Sequence, residues 1–202
     1  MNWFFDMDKP LMRGLSAVTD LILLNVFMFL CCIPVFTAGA AFTAAYTVII
    51  RTLRNEEGGL VKDYFRAFAS NFKEATLLWL GFLLAIAVLI FDYIAVAALL
   101  PQFIPVIAAL SLIVLVFGFY AFGLLARYEN PLRITLKNAA MLAIGYFPKT
   151  VGMVVFSVVF WLGSIQYFHV VGPILLLFGL SLPIYVNTIL MNGIFMNLDN
   201  KE

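Results

Sequence analysis

Two carboxylates stand where an apolar chain has reason to avoid them: Asp20, in a run from about Leu15 to Val35, and Asp92, in a run from about Thr76 to Leu100. An ionisable side chain inside a membrane is costly, so it marks an ion path, a proton relay or an ion pair. If the first two apolar runs fold back about Phe36, Asp20 comes level with residue 52, beside Arg51. That predicts a structural ion pair at the inner edge, with a coupling-ion or partner site as the sharper alternative. The same fold brings Asn25 level with Thr47 and within reach of Thr43, which predicts a hydrogen bond across the hairpin. Asp92 has no Lys or Arg on its side of the membrane. A lone acid there suits proton coupling or a water-facing place against the outer leaflet. In the last apolar run Pro183 frees a backbone carbonyl, and Asn187 and Asn192 follow it. A kinked helix of this kind lines a cavity or packs against its neighbours.

The remaining reactive types point away from catalysis. Cys31 and Cys32 are adjacent within an apolar run and read as packing, with no zinc spacing around them. His169 is the only histidine and reads as interfacial. There is no nucleophile elbow, Walker loop or HExxH. The expectation is a non-enzyme without cofactor or metal. With a formal net charge of +1 and no long basic block, no nucleic-acid partner is expected either.

The elements that hold these residues follow from composition. The chain is 64% hydrophobic and 11% charged, with a mean hydropathy of +1.06. Soluble domains have roughly 45–50% apolar and ~25% charged residues. Lipid is therefore the main solvent, and backbone groups in lipid must be satisfied within the chain. The apolar runs are continuous rather than alternating, so they are helices. The sequence reads as one all-α membrane domain over residues 1–202. A signal peptide is not expected, although Lys9 and Arg13 precede the first run and Ala38-Gly39-Ala40 mimics a cleavage site, because that run exceeds the usual ~7–15 residues.

Six transmembrane helices in three hairpins are predicted: Leu15–Val35, Ala38–Ile50, Thr76–Leu100, Phe103–Ala126, Thr150–Ser164 and Val170–Met196. Pro34 breaks the first hairpin, and the second helix is short enough to be re-entrant. Two cytoplasmic amphipathic helices are expected, at Leu60–Glu74 and from Asn130-Pro131 to Tyr146, the second closed by Pro148. Every Lys and Arg then falls on one side, and the connections around Thr37, Gln102 and Gln166 carry none. This distribution places both termini in the cytoplasm. Gly39, Thr43 and Thr47, with Ala41 and Ala45, make the second helix a close-packing element. Trp3, Phe4 and Phe5 read as an inner anchor and Trp161 as an outer one. Matching residues at an offset of about 74–75 hint at a parallel repeat, about 38–100 and 112–175.

The stretch Asp20-Leu-Ile-Leu-Leu-Asn25, followed by Cys31-Cys32-Ile33-Pro34-Val35-Phe36-Thr37-Ala38-Gly39-Ala40-Ala41-Phe42-Thr43-Ala44-Ala45-Tyr46, resembles the signature of the YesL family. So do Tyr64-Phe65-Arg66-Ala67-Phe68 and Asn71-Phe72-Lys73. Members often carry a tryptophan shortly after the position of Asn25, where this chain has Phe27, Met28 and Phe29. The resemblance implies a small multi-pass protein of the bacterial cell membrane, often encoded beside sugar importers, polysaccharide-degrading enzymes and sensor kinases. The leading expectation is a non-enzymatic accessory subunit or assembly factor bound to the permease subunits of a carbohydrate ABC importer. An autonomous solute or ion-coupled transporter and a membrane partner of a sensor kinase are the alternatives.

Overall fold

The computed structural model describes residues 10–56, 58–128 and 130–199, without the side chains of 10–15, 170–171 and 197–199. The expected anchor at Trp3, Phe4 and Phe5, together with Lys9, Lys201 and the side chain of Arg13, lies outside the described residues. Among the described residues the chain is helical throughout: α1 (Pro10–Cys32), α2 (Ala38–Leu53), α3 (Leu60–Ser70), α4 (Phe72–Leu99), α5 (Ile104–Arg127), α6 (Leu132–Gly145), α7 (Phe147–Gln166), α8 (Phe168–Phe178) and α9 (Ser181–Asp199). The stretches α2–α3–α4 and α5–α6–α7 share one order, long helix, short helix, long helix, each entered through a short 3-10 turn.

Local chemistry explains the breaks. α1 stops at Cys32, just before Ile33, which Pro34 biases away from the helical region. The turn closes when Thr37 gives its N–H and its hydroxyl to the Pro34 carbonyl, at 2.9 and 2.7 Å. α2 runs beyond the expected Ile50 to Leu53, and Asn55 then takes the left-handed φ of 54° that asparagine tolerates after a helix. The first amphipathic helix ends at Ser70 rather than Glu74. There the backbone N–H and side-chain amide of Asn71 both reach the Ala67 carbonyl, each at 3.1 Å. Pro148 does not close α6. It sits in the first turn of α7, where its missing N–H removes no intrahelical bond.

α2 is the central element. Its Ala- and Gly-rich faces touch α1, α3, α4, α5 and α9, and most of its residues are buried. Gly39 shows why small residues are needed: a Cβ there would collide with the Ala75 carbonyl oxygen and the Trp79 Cβ on α4. Tyr64, wholly buried on α3, points its hydroxyl at the Ala41 carbonyl of α2, 3.5 Å away. Burial pushes that phenol far above its usual pKa, so it stays a neutral donor.

Among the described residues four helices are long and apolar enough to cross a membrane: Val35–Leu53 (α2 with its turn), Phe72–Leu99, Pro101–Arg127 and Phe147–Gln166. A fifth is reached if the bent pair α8–α9 counts as one span. The described apolar part of α1, Ser16–Cys32, is shorter. The expectation of six full spans in three matched hairpins is therefore met only in its coarser form, an all-α chain with four to five candidate spans.

The hairpins also differ in reach. The Trp79 indole N–H donates to the Val35 carbonyl at 2.7 Å, which ties the α1–α2 turn to the beginning of α4. About 30 Å of helix then separates Trp79 from Leu99 at 1.5 Å per residue. The α4–α5 hairpin runs on alone, and no residue from 83 to 117 is buried. The three base-free connections thus do not lie at one height, because the Thr37 turn stops where α4 has barely begun.

Candidate functional site: a broken helix beside an apolar groove

The most unusual backbone of the chain is the junction of α8 and α9, which meet at 54°. Pro183 has no N–H for the Gly179 carbonyl, four residues back, and this weakens the helix one turn before the proline. The opening is filled from α1. The Asn25 side chain donates its Nδ2 to the Leu176 carbonyl at 2.7 Å. Its Oδ1 accepts the backbone N–H of Leu180 at 2.9 Å and that of Ser181 at 3.1 Å. In an unbroken helix Leu180 would donate to Leu176 directly. The amide is thus spliced into that bond, with acceptor and donor each facing the right partner. Asn25 is 0% exposed, so no water competes for these groups.

This placement corrects the expectation that Asn25 bonds to Thr43 across the first hairpin. The Thr43 hydroxyl turns back on its own helix, to the Gly39 carbonyl at 2.9 Å. Thr47 shares its hydroxyl between the Thr43 carbonyl at 3.0 Å and the Ala126 carbonyl of α5 at 3.2 Å. Asn187, buried on α9, lies against the Tyr46 hydroxyl and 3.4 Å from the Ser157 hydroxyl, and its Oδ1 has no hydrogen-bond partner. The Ser181 hydroxyl is likewise buried without a partner. A second polar link fixes the α6–α7 corner. There the Tyr120 and Thr150 hydroxyls stand 2.9 Å apart, and Thr150 donates to the Ala143 carbonyl at 3.0 Å.

The acids end up elsewhere. Arg51 pairs with Asp63 at 3.2 Å and Glu56 at 3.1 Å, not with Asp20. Glu56 follows α2 directly and Asp63 stands on α3; Arg51 and Glu56 are more than one-third exposed, whereas the Asp63 side chain is largely covered. Asp92 is half-buried on α4, and no hydrogen bond or ion pair joins it to another described residue. Arg127 lies over the Phe195 ring at 5.0 Å and the Tyr128 ring at 5.4 Å, a cation–π arrangement. Among the described residues no three of His, Cys, Asp and Glu gather as metal ligands would.

Beside the break lies a groove of about 640 Å³. Phe42 and Tyr46 of α2 form its floor, Ile90 and Val114 its walls on α4 and α5, and Trp161 and Pro183 its far side on α7 and α9. Trp161, expected as an outer anchor, lines this groove and is 47% exposed. Neither Asp20 nor Asp92 lines the groove. Sequence reasoning identified the polar residues but missed the groove. The repeated aromatics at Phe42, Tyr46, Phe119 and Phe122 were the available signal.

Comparison with known proteins gives a match to part of the chain. A family model described as "Protein of unknown function, DUF624" matches residues 21–93, from the middle of α1 into α4. The match takes in Asn25, Pro34, Gly39, Thr43, Arg51 and Asp92 and stops before Asn187. No curated protein and no solved structure matches the chain.

Proposed function

We propose that this protein is a non-enzymatic membrane accessory subunit or assembly factor that packs its α4–α5 hairpin against the helices of a larger membrane complex. One observation carries the reading: from residue 83 to 117 the two helices present no buried residue. Leu84, Phe91, Leu99 and Ile113 are each more than 60% exposed on this hairpin. Residues of this kind offer a long surface on which another helix gains van der Waals contact. The YesL-family resemblance, whose residues other than Asp20 fall inside the DUF624 match, makes the permease subunits of a bacterial carbohydrate ABC importer the partner of choice.

The same reading puts both termini in the cytoplasm. The basic residues support this whether the α1–α2 and α7–α9 hairpins cross fully or turn back within the membrane, since either path returns to the side it left. The broken helix also favours a transporter reading, because transporter sites use such breaks. An ion-coupled mechanism gains nothing from it, as neither intramembrane acid faces the groove.

The test is affinity purification of the tagged protein from native membranes in mild detergent, with a photo-crosslinker at Ile113 or, as control, at Ile189 on α9. Permease subunits at comparable stoichiometry, crosslinked from Ile113 and not from Ile189, support the proposal. Recovery of the chain alone, with no crosslink from Ile113, overturns it.

A further inference from the structure

The groove described above is too polar-poor for a sugar and too large to stay empty. Of its side chains that carry a donor, Trp79 gives its N–H to Val35 and Ser111 gives its hydroxyl to the Ile107 carbonyl at 2.9 Å. The Tyr46 hydroxyl lies against Asn187, so only the Tyr93 hydroxyl and the Trp161 indole are left, too few to replace the hydration of a carbohydrate. Water is a poor filling for the same reason, since a stable water needs two to four polar partners. Most of the lining belongs to α2, α4, α5 and α7, the helices apolar enough to cross a membrane, so the fluid at the mouth of the groove is lipid.

We propose that the groove is a binding site for a single hydrocarbon chain of a membrane lipid, lying against the α8–α9 break with its inner end on Tyr46. The floor sets this site apart from the ordinary lipid coat. Tyr46, Phe122 and Ile184 are 3%, 6% and 8% exposed, so a chain that reaches them has entered the body of the protein. The length and openness of the slot suit a flexible unbranched chain, and the flat rings of Phe42, Trp79 and Phe122 pack against methylene groups without needing a fixed register. The occupant touches Leu180 and Pro183, and so reads directly on the segment that Asn25 holds open.

Full-length protein in vesicles of phosphatidylcholine carrying a diazirine in one acyl chain tests this by photolabelling and peptide mass spectrometry. The expected result is label on Tyr46, Phe122 and Ile184 as well as on the outward residues Leu84 and Phe91. Label confined to the outward residues overturns the proposal. Ala108→Phe with Ser111→Phe, which fills the groove, is expected to abolish the floor label and leave the outward label, and an unchanged floor label would also overturn it. If that variant fails to fold, the wild-type comparison still decides. A partner helix in place of lipid would appear as loss of the floor label in native membranes but not in vesicles. Loss of the floor label in vesicles leaves the crosslink from Ile113 unaffected, so this site and the accessory role fail separately.

Discussion

Asn25 occupies, with its side-chain amide, the gap between the Leu176 carbonyl and the Leu180 N–H, and so completes a helix to which it does not belong. Replacing it by leucine keeps the volume but leaves two N–H groups and one carbonyl without partners in a dry site. Each buried unsatisfied group costs ~1–3 kcal/mol. Asn25→Leu should therefore lower the melting temperature in detergent, by an amount equivalent to about 2–5 kcal/mol after partial relaxation. Hydrogen exchange at Leu180 and Ser181 should rise at the same time. Unchanged protection at those two amides would mean that the helix re-forms its own bonds.

Gly39 offers a test of packing rather than of hydrogen bonding. Its missing Cβ lets α2 approach the Ala75 backbone, so Gly39→Leu must push α2 and α4 apart. Overpacking of this kind costs about 1–3 kcal/mol or more. The same substitution at Gly81, with nothing within 4 Å of its Cβ, should be nearly neutral. Melting of the two variants side by side makes the comparison.

The unequal hairpins predict unequal accessibility. In a background without Cys31 and Cys32, Gln102→Cys should react in intact cells with a membrane-impermeant maleimide. Phe36→Cys, which sits at the turn tied to the start of α4, should stay unreactive until the membrane is dissolved. Equal labelling of both would restore the six-span layout with three outer turns.

At the α6–α7 corner, Thr150→Val removes the hydroxyl that meets Tyr120 and holds the Ala143 carbonyl, while keeping the shape. A loss of about 1–3 kcal/mol is expected, because the buried Tyr120 hydroxyl is stranded. Thr150→Ser should recover most of it. Thermal melting of the pair checks both statements.

Much of the fold was legible because local chemistry controls it. Pro34 and Pro101 each follow the end of a helix they help to stop, and amphipathic spacing marks α3 and α6. What lies far apart in sequence was not. Asn25 could be recognised as a residue that needs partners, but counting along the first hairpin assigned it the nearest ones, and the actual partner is 151 residues away. Arg51 failed in the opposite direction, since Glu56 just after α2 and Asp63 on the next helix reach it and Asp20 does not. Basic loops report which side of a membrane a segment ends on and say nothing of how deep it goes. For that reason the short reach of the α1–α2 turn was invisible until Trp79 and Val35 were seen together.

The splice between α1 and the last helix also bears on how the chain is made. Asn25 leaves the ribosome some 150 residues before Leu176 and Ser181 exist. Throughout that interval its amide must be carried by water, by the insertion machinery or by a temporary neighbour, since lipid offers it nothing. Completion of the last helix releases that holding partner, and the first helix can settle only then. A chain cut short before Leu176 would keep its Asn25 amide unmet and its first helix without the contact that fixes it.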